Sequence, residues 1–304
     1  MPLDFVVLDV FTDQPLAGNP LAVVLGADDL DGGRMLAIAR EFNLSETVFV
    51  LKPRNPAHSA RIRIFTPAGE VPFAGHPTVG TAILLAQHRV GTSPEQEQDV
   101  IVVMEEEIGI VRCGVVLSPD GKAFAEFDVP KVATSAGPAG DKDMIAAALG
   151  LTRAELGFEN HKPCRFDAGL AFTFVPVHDL EAMAKIRLER SIWRDAFPGD
   201  ERALVLAYCR ETLHHDTHFH ARMFGPFAGI DEDPATGSAA AAFAGVVRKF
   251  DEPRDGTHRV RVEQGIEMGR PSIIDLEFDI DGGKLRSVRI GGGAVRVSEG
   301  VLTI

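Results

Sequence analysis

Two segments of this chain read as helices without a polar face: Thr78–Gln87, TVGTAILLAQ, and Ser238–Val247, SAAAAFAGVV. A helix that is apolar on nearly all sides has to be buried, and short side chains let strands approach it from every direction. Strand-like runs are plentiful in the rest of the chain. Leu3–Phe11 is apolar nearly throughout, and Arg61–Phe65 alternates. Further runs cover Ile101–Met104, Ile110–Leu117, Ala123–Val129, Leu170–Val177, Ala203–Cys209, His218–Phe224, Val260–Glu263, Ile273–Ile280 and Val295–Ile304. Pro119-Asp120-Gly121 and Asp281-Gly282-Gly283 read as hairpin loops. Three ordinary helices are expected at Asp31–Phe42, Asp141–Leu149 and Thr152–Leu156, the last opened by the capping-box spacing of Thr152 and Glu155.

The stretch from Ala133 to Asp143, ATSAGPAGDKD, is small, polar and proline-containing, and it nearly bisects the 304 residues. It is the best linker candidate. Each half then holds several strands and one all-apolar helix, a similarity that suggests a duplication. The net charge of −13 repels phosphate backbones and anionic lipid, which argues against nucleic-acid or membrane partners while leaving room for a small anionic substrate. Cys113, Cys164 and Cys209 are scattered, so they suggest a reducing compartment and neither a zinc nor a disulfide framework. The opening MPLDFVVLDVF carries Asp4 and Asp9 within its apolar run and reads as a strand, not a signal peptide. A soluble, cytoplasmic protein is the expectation.

The two buried helices begin alike, with Ala74-Gly75-His76 in FAGHPTVGTAILLA and Thr236-Gly237-Ser238 in DPATGSAAAAFAGV. Glycine lets a ligand approach the backbone, and the first helical turn offers unpaired N–H groups and the positive end of a dipole. Two such starts would hold a carboxylate. The alternative is two capped core helices that meet no ligand. Glu46, in NLSETVFV, is either a solvated strand edge or, if desolvated in a cleft, an acid or base tuned toward neutral pH. His76 and Asp233 each precede a proline at a helix start, where either a cap or a proton carrier fits. Ser238 could cap or hydrogen-bond a substrate. His214, His215, His218 and His220 invite a metal reading, but no further ligand stands at a known spacing, and His214-His215-Asp216 reads as a surface turn. Gly291–Val295 leads into a strand, so it is no dinucleotide fingerprint, and neither a GxSxG elbow nor a Walker loop occurs.

Taken together, DVFTDQPLAGNPLAVV (9–24), NLSETVFV (43–50), FTPAGEVPFAGHPTVGTA (65–82), GIDEDPATGSAA (229–240), EQGIEMGRPS (263–272) and GGGAVRVSEGVL (291–302) resemble the PhzF-like family of the diaminopimelate-epimerase fold. The segments run in order over nearly the whole chain, and AGHPTVGTA with EDPATGSAA is the most specific part. The resemblance implies an α+β fold of two similar domains, each a curled, mainly antiparallel, barrel-like sheet around a central apolar helix, with the active site between them. The domain expectation is 1–130, 131–285, and a C-terminal strand 286–304 that is a candidate to pair back with the first domain.

The same resemblance implies a cofactor-independent, metal-free isomerase similar to trans-2,3-dihydro-3-hydroxyanthranilate isomerase. Glu46 would move the proton, with His76 and Asp233 as further catalytic residues. Gly75, Gly237 and Ser238 would bind a small anionic carboxylate, and a homodimer is expected. Amino-acid epimerases of this fold place cysteines where this chain has Ala74 and Thr236, neither of which transfers a proton at neutral pH, so a two-thiol racemase is disfavoured. Asp231 and Glu232 are expected to be solvated. A small-carboxylate-binding protein without catalysis and a single-base epimerase remain the alternatives.

Overall fold

The first strands after the N-terminus are β1 (Pro2–Val10) and β2 (Asn19–Val24), followed by α1 (Gly32–Phe42) and β3 (Glu46–Leu51). Next come β4 (Ala60–Thr66), β5 (Gly69–Val71), α2 (Gly75–Val90), β6 (Gln98–Glu106), β7 (Gly109–Leu117) and β8 (Ala123–Asp128). The computed structural model describes residues 2–199 and 201–304 and divides into two compact units, Met1–Asp128 with Gly291–Ile304, and Val129–Ile290.

In the first unit β1 pairs antiparallel with β2, β2 parallel with β3, β3 antiparallel with β4, β4 parallel with β6, and β6 to β8 form an antiparallel meander. The final strand, Lys284–Thr303, lies against both β8 and β1, running antiparallel to β1 from Pro2↔Thr303 to Val10↔Ala294. Those pairings close a ring of eight strands and leave no open edge. Each parallel pair needs a crossover. The first is α1, whose Met35, Ile38 and Ala39 pack on Val24, Phe49, Leu51 and Phe65. The second is α2, which contacts β1, β2, β3, β6, β7 and β8 and is buried over most of its length. Gly80 makes this possible: a Cβ there would come within 2.7 Å of both Leu21 and Val10.

The second unit contains β9 (Thr134–Ser135), α3 (Lys142–Ala148), β10 (Cys164–Asp167), β11 (Ala171–Pro176), α4 (Leu180–Lys185) and α5 (Trp193–Ala196). It continues through β12 (Val205–Cys209), β13 (Phe219–Gly225), β14 (Ile230–Asp233), α6 (Gly237–Phe250), β15 (Gly256–Gln264) and β16 (Ser272–Asp281), with Lys284–Thr303 as β17. Its pairings repeat the scheme of the first unit. β10 and β11 are antiparallel, β11 and β12 parallel, β12 and β13 antiparallel, β13 and β15 parallel, and β15 and β16 antiparallel. The inner crossover is again an apolar helix, α6, which contacts β9, β10, β11 and β16. Phe166 packs onto Gly245, where a Cβ would fall 2.4 Å from its ring. The outer crossover, with α4 and α5, packs with α3 into a core of its own around Ile145, Met183 and Trp193.

Both central helices extend beyond the expected spans. Thr152–Leu156 is only a single 3₁₀ turn, Arg153–Glu155, although Glu155 does accept the Thr152 N–H at 2.8 Å. Leu156 leaves the helix to bridge Val177, and Gly157 follows at positive φ. The stretch 133–143 carries β9, which pairs with β10, and buries Ala139. Among the described residues no helix is long and apolar enough to cross a membrane.

Candidate active site

The two units present separate clusters. In the first, Asn43 caps α1 in the left-handed conformation (φ 52°) and donates its N–H to the Ala39 carbonyl, turning the chain so that β3 begins at Glu46. Parallel pairing fixes Glu46 opposite Leu21 of β2. At the start of α2, Ala74 is extended and no side chain caps the first turn. Gly75 and His76 are both buried there. His76 Nε2 stands 3.6 Å from Glu46 Oε2, beyond direct hydrogen-bond distance, and is buried without a hydrogen-bond partner. Burial lowers the imidazole pKa to about 3. The ring is therefore neutral near pH 7, and the pair is a carboxyl beside an imidazole, not an ion pair.

In the second unit α6 also lacks a side-chain cap. Asp233 ends β14 and is buried; its Oδ2 accepts a short hydrogen bond from the Thr236 hydroxyl. Gln264 ties the segment together. Its Nε2 donates to the Asp233 carbonyl at 2.7 Å and to Thr236 Oγ1 at 3.0 Å, while its Oε1 accepts the Thr236 N–H at 3.3 Å. The Thr236 hydroxyl thus accepts from the amide and donates to the carboxylate, which fixes Asp233 as an acceptor. Gly237 is buried and Ser238 half-buried in the first turn of α6.

The structure therefore brings Glu46 together with His76 beside Gly75, and Asp233 together with Thr236 beside Gly237 and Ser238. Sequence reasoning gave no role to Gln264, or to Thr78 and Glu106 beneath the start of α2. The available signal was the recurrence of a Glu-Glu or Glu-Gln pair, 105–106 and 263–264, at the end of a strand that follows each apolar helix. Ala74 and Thr236 are the N-caps of the two central helices. The three cysteines lie elsewhere, on β7, β10 and β12, where burial raises every thiol pKa, to about 12 for Cys164 and Cys209.

One expectation needs correcting. Asp231 pairs at the surface with Arg190, but Glu232 is not simply solvated: both its oxygens accept from Arg222 at 2.8 Å, and that guanidinium is buried. The histidine cluster is also occupied. His220 places Nδ1 on Glu263 and Nε2 on Glu267, each at 2.9 Å. Burial lowers the His220 pKa, but the two carboxylates outweigh it and raise the value to about 9. As an imidazolium it has no lone pair for a metal. Glu159, His161 and Asp251 lie close enough to share a cation, but the Arg210 guanidinium already bonds to Asp251 at 2.7 Å and reaches Glu159 at 3.3 Å.

Comparison with known proteins agrees with this architecture. The family model for phenazine biosynthesis-like protein matches residues 8–300. An uncharacterized isomerase of Mesorhizobium japonicum is 53% identical, the match covering 99% of each chain. The trans-2,3-dihydro-3-hydroxyanthranilate isomerase of Pseudomonas aeruginosa is 34% identical over 97% of this chain and 98% of its own. The crystal structure of the Bacillus anthracis phenazine biosynthesis protein, PhzF family, superimposes with a TM-score of 0.87 at 27% identity, covering both chains completely. The chain is an isomerase and belongs to the phenazine biosynthesis-like, or PhzF-like, protein family.

Proposed function

We propose that the protein shifts a proton within a small, unsaturated or cyclic carboxylic acid, with Glu46 as the general acid and base. The observation that carries this reading is the pairing of Glu46 with a buried, neutral His76 at the uncapped start of α2. A carboxylate held on a rigid strand start takes a proton from an activated carbon, the electron pair moves along the unsaturated system, and the same carboxylic acid returns the proton at a second carbon. The proton leaves and returns, no electrons are gained or lost overall, and the step calls for no redox cofactor. A neutral imidazole 3.6 Å away donates to or accepts from a substrate heteroatom without competing for the carboxylate as a cation would.

The helix start at Gly75 and the helix start at Gly237 each offer N–H groups suited to a carboxylate, and Asp233 and Ser238 each offer a group able to orient a polar substituent. The relative from Pseudomonas aeruginosa makes trans-2,3-dihydro-3-hydroxyanthranilate, or a close analogue, the first substrate to test. Incubation in deuterated water, followed by NMR, should place deuterium at the newly formed C–H, and Glu46→Gln should abolish that signal. Turnover that persists in Glu46→Gln removes the base assignment. Binding of the compound without turnover or exchange favours a small-carboxylate-binding protein.

A further inference from the structure

Glu106 ends β6 beneath the first turn of α2 and is only 8% exposed. Its Oε1 lies 3.0 Å from Thr78 Oγ1, and its Oε2 is buried without a partner. The Thr78 hydroxyl also lies 2.8 Å from the Ala74 carbonyl. A hydroxyl has one proton, and a carbonyl only accepts. With that proton on Ala74, the contact to Glu106 requires a proton on the acid.

The second unit supports the same assignment. Pairing of β4 with β6 sets Arg61 opposite Glu105, and pairing of β13 with β15 sets His220 opposite Glu263. Glu105 accepts the N–H groups of Arg54 and Asn55 ahead of β4; Glu263 accepts those of Leu213 and His214 ahead of β13. The two glutamates are thus positional equivalents, and the next residues, Glu106 and Gln264, are equivalents as well. Gln264 braces Thr236, the residue before α6. Glu106 reaches Ala74, the residue before α2, through Thr78. An amide is neutral at every pH, and a protonated carboxyl is its nearest counterpart.

We propose that Glu106 is a positioning residue: as a neutral acid it donates to Thr78 Oγ1, commits that hydroxyl to the Ala74 carbonyl, and so fixes Gly75 and His76 beside Glu46. Its role in turnover rests on the reading of Glu46 and His76 given above; its role in holding the helix start does not. Burial raises the Glu106 pKa to about 8. The ionisable groups around it are Arg54, Arg61 and Arg63, the His58 imidazole held by Glu105, the carboxyls of Glu70, Glu105 and Glu107, and the Cys113 thiol on β7. Arg63 is already engaged by Glu70, and Glu105 by its loop amides. Because the folded pKa exceeds the ordinary value of 4.5, this contribution to stability is complete below pH 4.5 and is lost as pH rises to about 8.

The test compares the full chain with Glu106→Gln and Glu106→Ala. Between pH 5 and 8 the melting temperature of Glu106→Gln should rise relative to wild type by about 4 °C or more, then run parallel above pH 8. The His76 ring nitrogens should change their NMR shifts near pH 8 in wild type but not in Glu106→Gln. With a substrate in hand, wild-type kcat should fall through an alkaline limb near pH 8. Glu106→Gln should lack that limb and keep its rate at pH 7 within about threefold, whereas Glu106→Ala should lose about tenfold or more in kcat. Parallel melting curves across pH 5–8, or a Gln variant as impaired as the Ala variant, would overturn the proposal. If no compound is turned over, the melting and NMR comparisons still decide the role of Glu106, and only the functional reading falls.

Discussion

The two units share one order of pairings but fill their centres in opposite ways. In the first, the helix supplies bulk: α2 carries Val79, Ile83 and Leu84, and the buried residues of its strands are chiefly aliphatic. In the second, the helix is thin and the wall is thick. The run Ala239–Ala242 leaves room for Phe166, Phe172, Phe174, Tyr208 and Phe219, which gather with Phe243 in edge-on and tilted contacts. The same topology therefore tolerates either distribution, because packing density constrains the sum of helix and wall volumes and not each separately. The polar groups diverge in the same way. One unit places a carboxyl beside a neutral imidazole at its helix start, while the other ties its carboxylate to a hydroxyl and an amide.

That contrast can be tested at several sites, beginning with the one of largest effect. Glu46→Gln should lower the rate by about 10²–10⁴-fold, while Asp233→Asn should act mostly on KM, as expected for an orienting acceptor; steady-state kinetics in deuterated water separates the two. In packing, Phe243→Ala should cost about 3–5 kcal/mol and Leu84→Ala about 2–5, both by denaturant unfolding. Enlarging Ala241 to Leu should cost about 1–3 kcal/mol, because the thin helix has no slack against its aromatic wall.

Two of the buried histidines, His76 and His220, should respond to pH in opposite directions. The pKa of His76 is lowered to about 3, so its unfolded form binds more protons, and stability falls as pH drops from 6.5 toward 3, by at most about 1.4 kcal/mol per unit. The pKa of His220 is raised to about 9, so its contribution is complete below pH 6.5 and is lost as pH rises to about 9. Hydrogen exchange, corrected for intrinsic rates, should show α2 opening at the acid end and β13 at the alkaline end. A last contrast concerns the paired loop anchors. Glu263→Gln should cost about 1.5–3 kcal/mol, and Glu105→Gln less, since Glu105 is the more exposed of the two and Glu263 also holds Thr217 and His220.

Much of this was legible in the chain. TVGTAILLAQ and SAAAAFAGVV announce buried helices because they have no polar face, and Gly75 and Gly237 mark their starts. Glu46, His76 and Asp233 were picked out by their junctions between turn and element. Gln264 and Glu106 were not, because their partners stand far away in sequence and a hydrogen bond between distant residues leaves no periodic trace. The closest polar contacts of Gln264, for example, are with residues 233 and 236. The Thr152–Leu156 helix failed for the converse reason. Its capping box is real, but a local signal cannot outweigh the strand bridge that claims Leu156.

The last strand has a consequence for the order of events at synthesis. β1 and β8 are made early, yet the strand that joins them, Gly291–Ile304, emerges only after the strands of the second unit. Until it arrives, the first ring is an open sheet with two bare edges, although every other strand of that unit has long been available. The second unit draws only on Val129–Ile290 and is complete sooner. Of the two units, the one that begins to leave the ribosome earlier is thus the one completed later, and the interval between the two is when it needs protection from pairing with other chains.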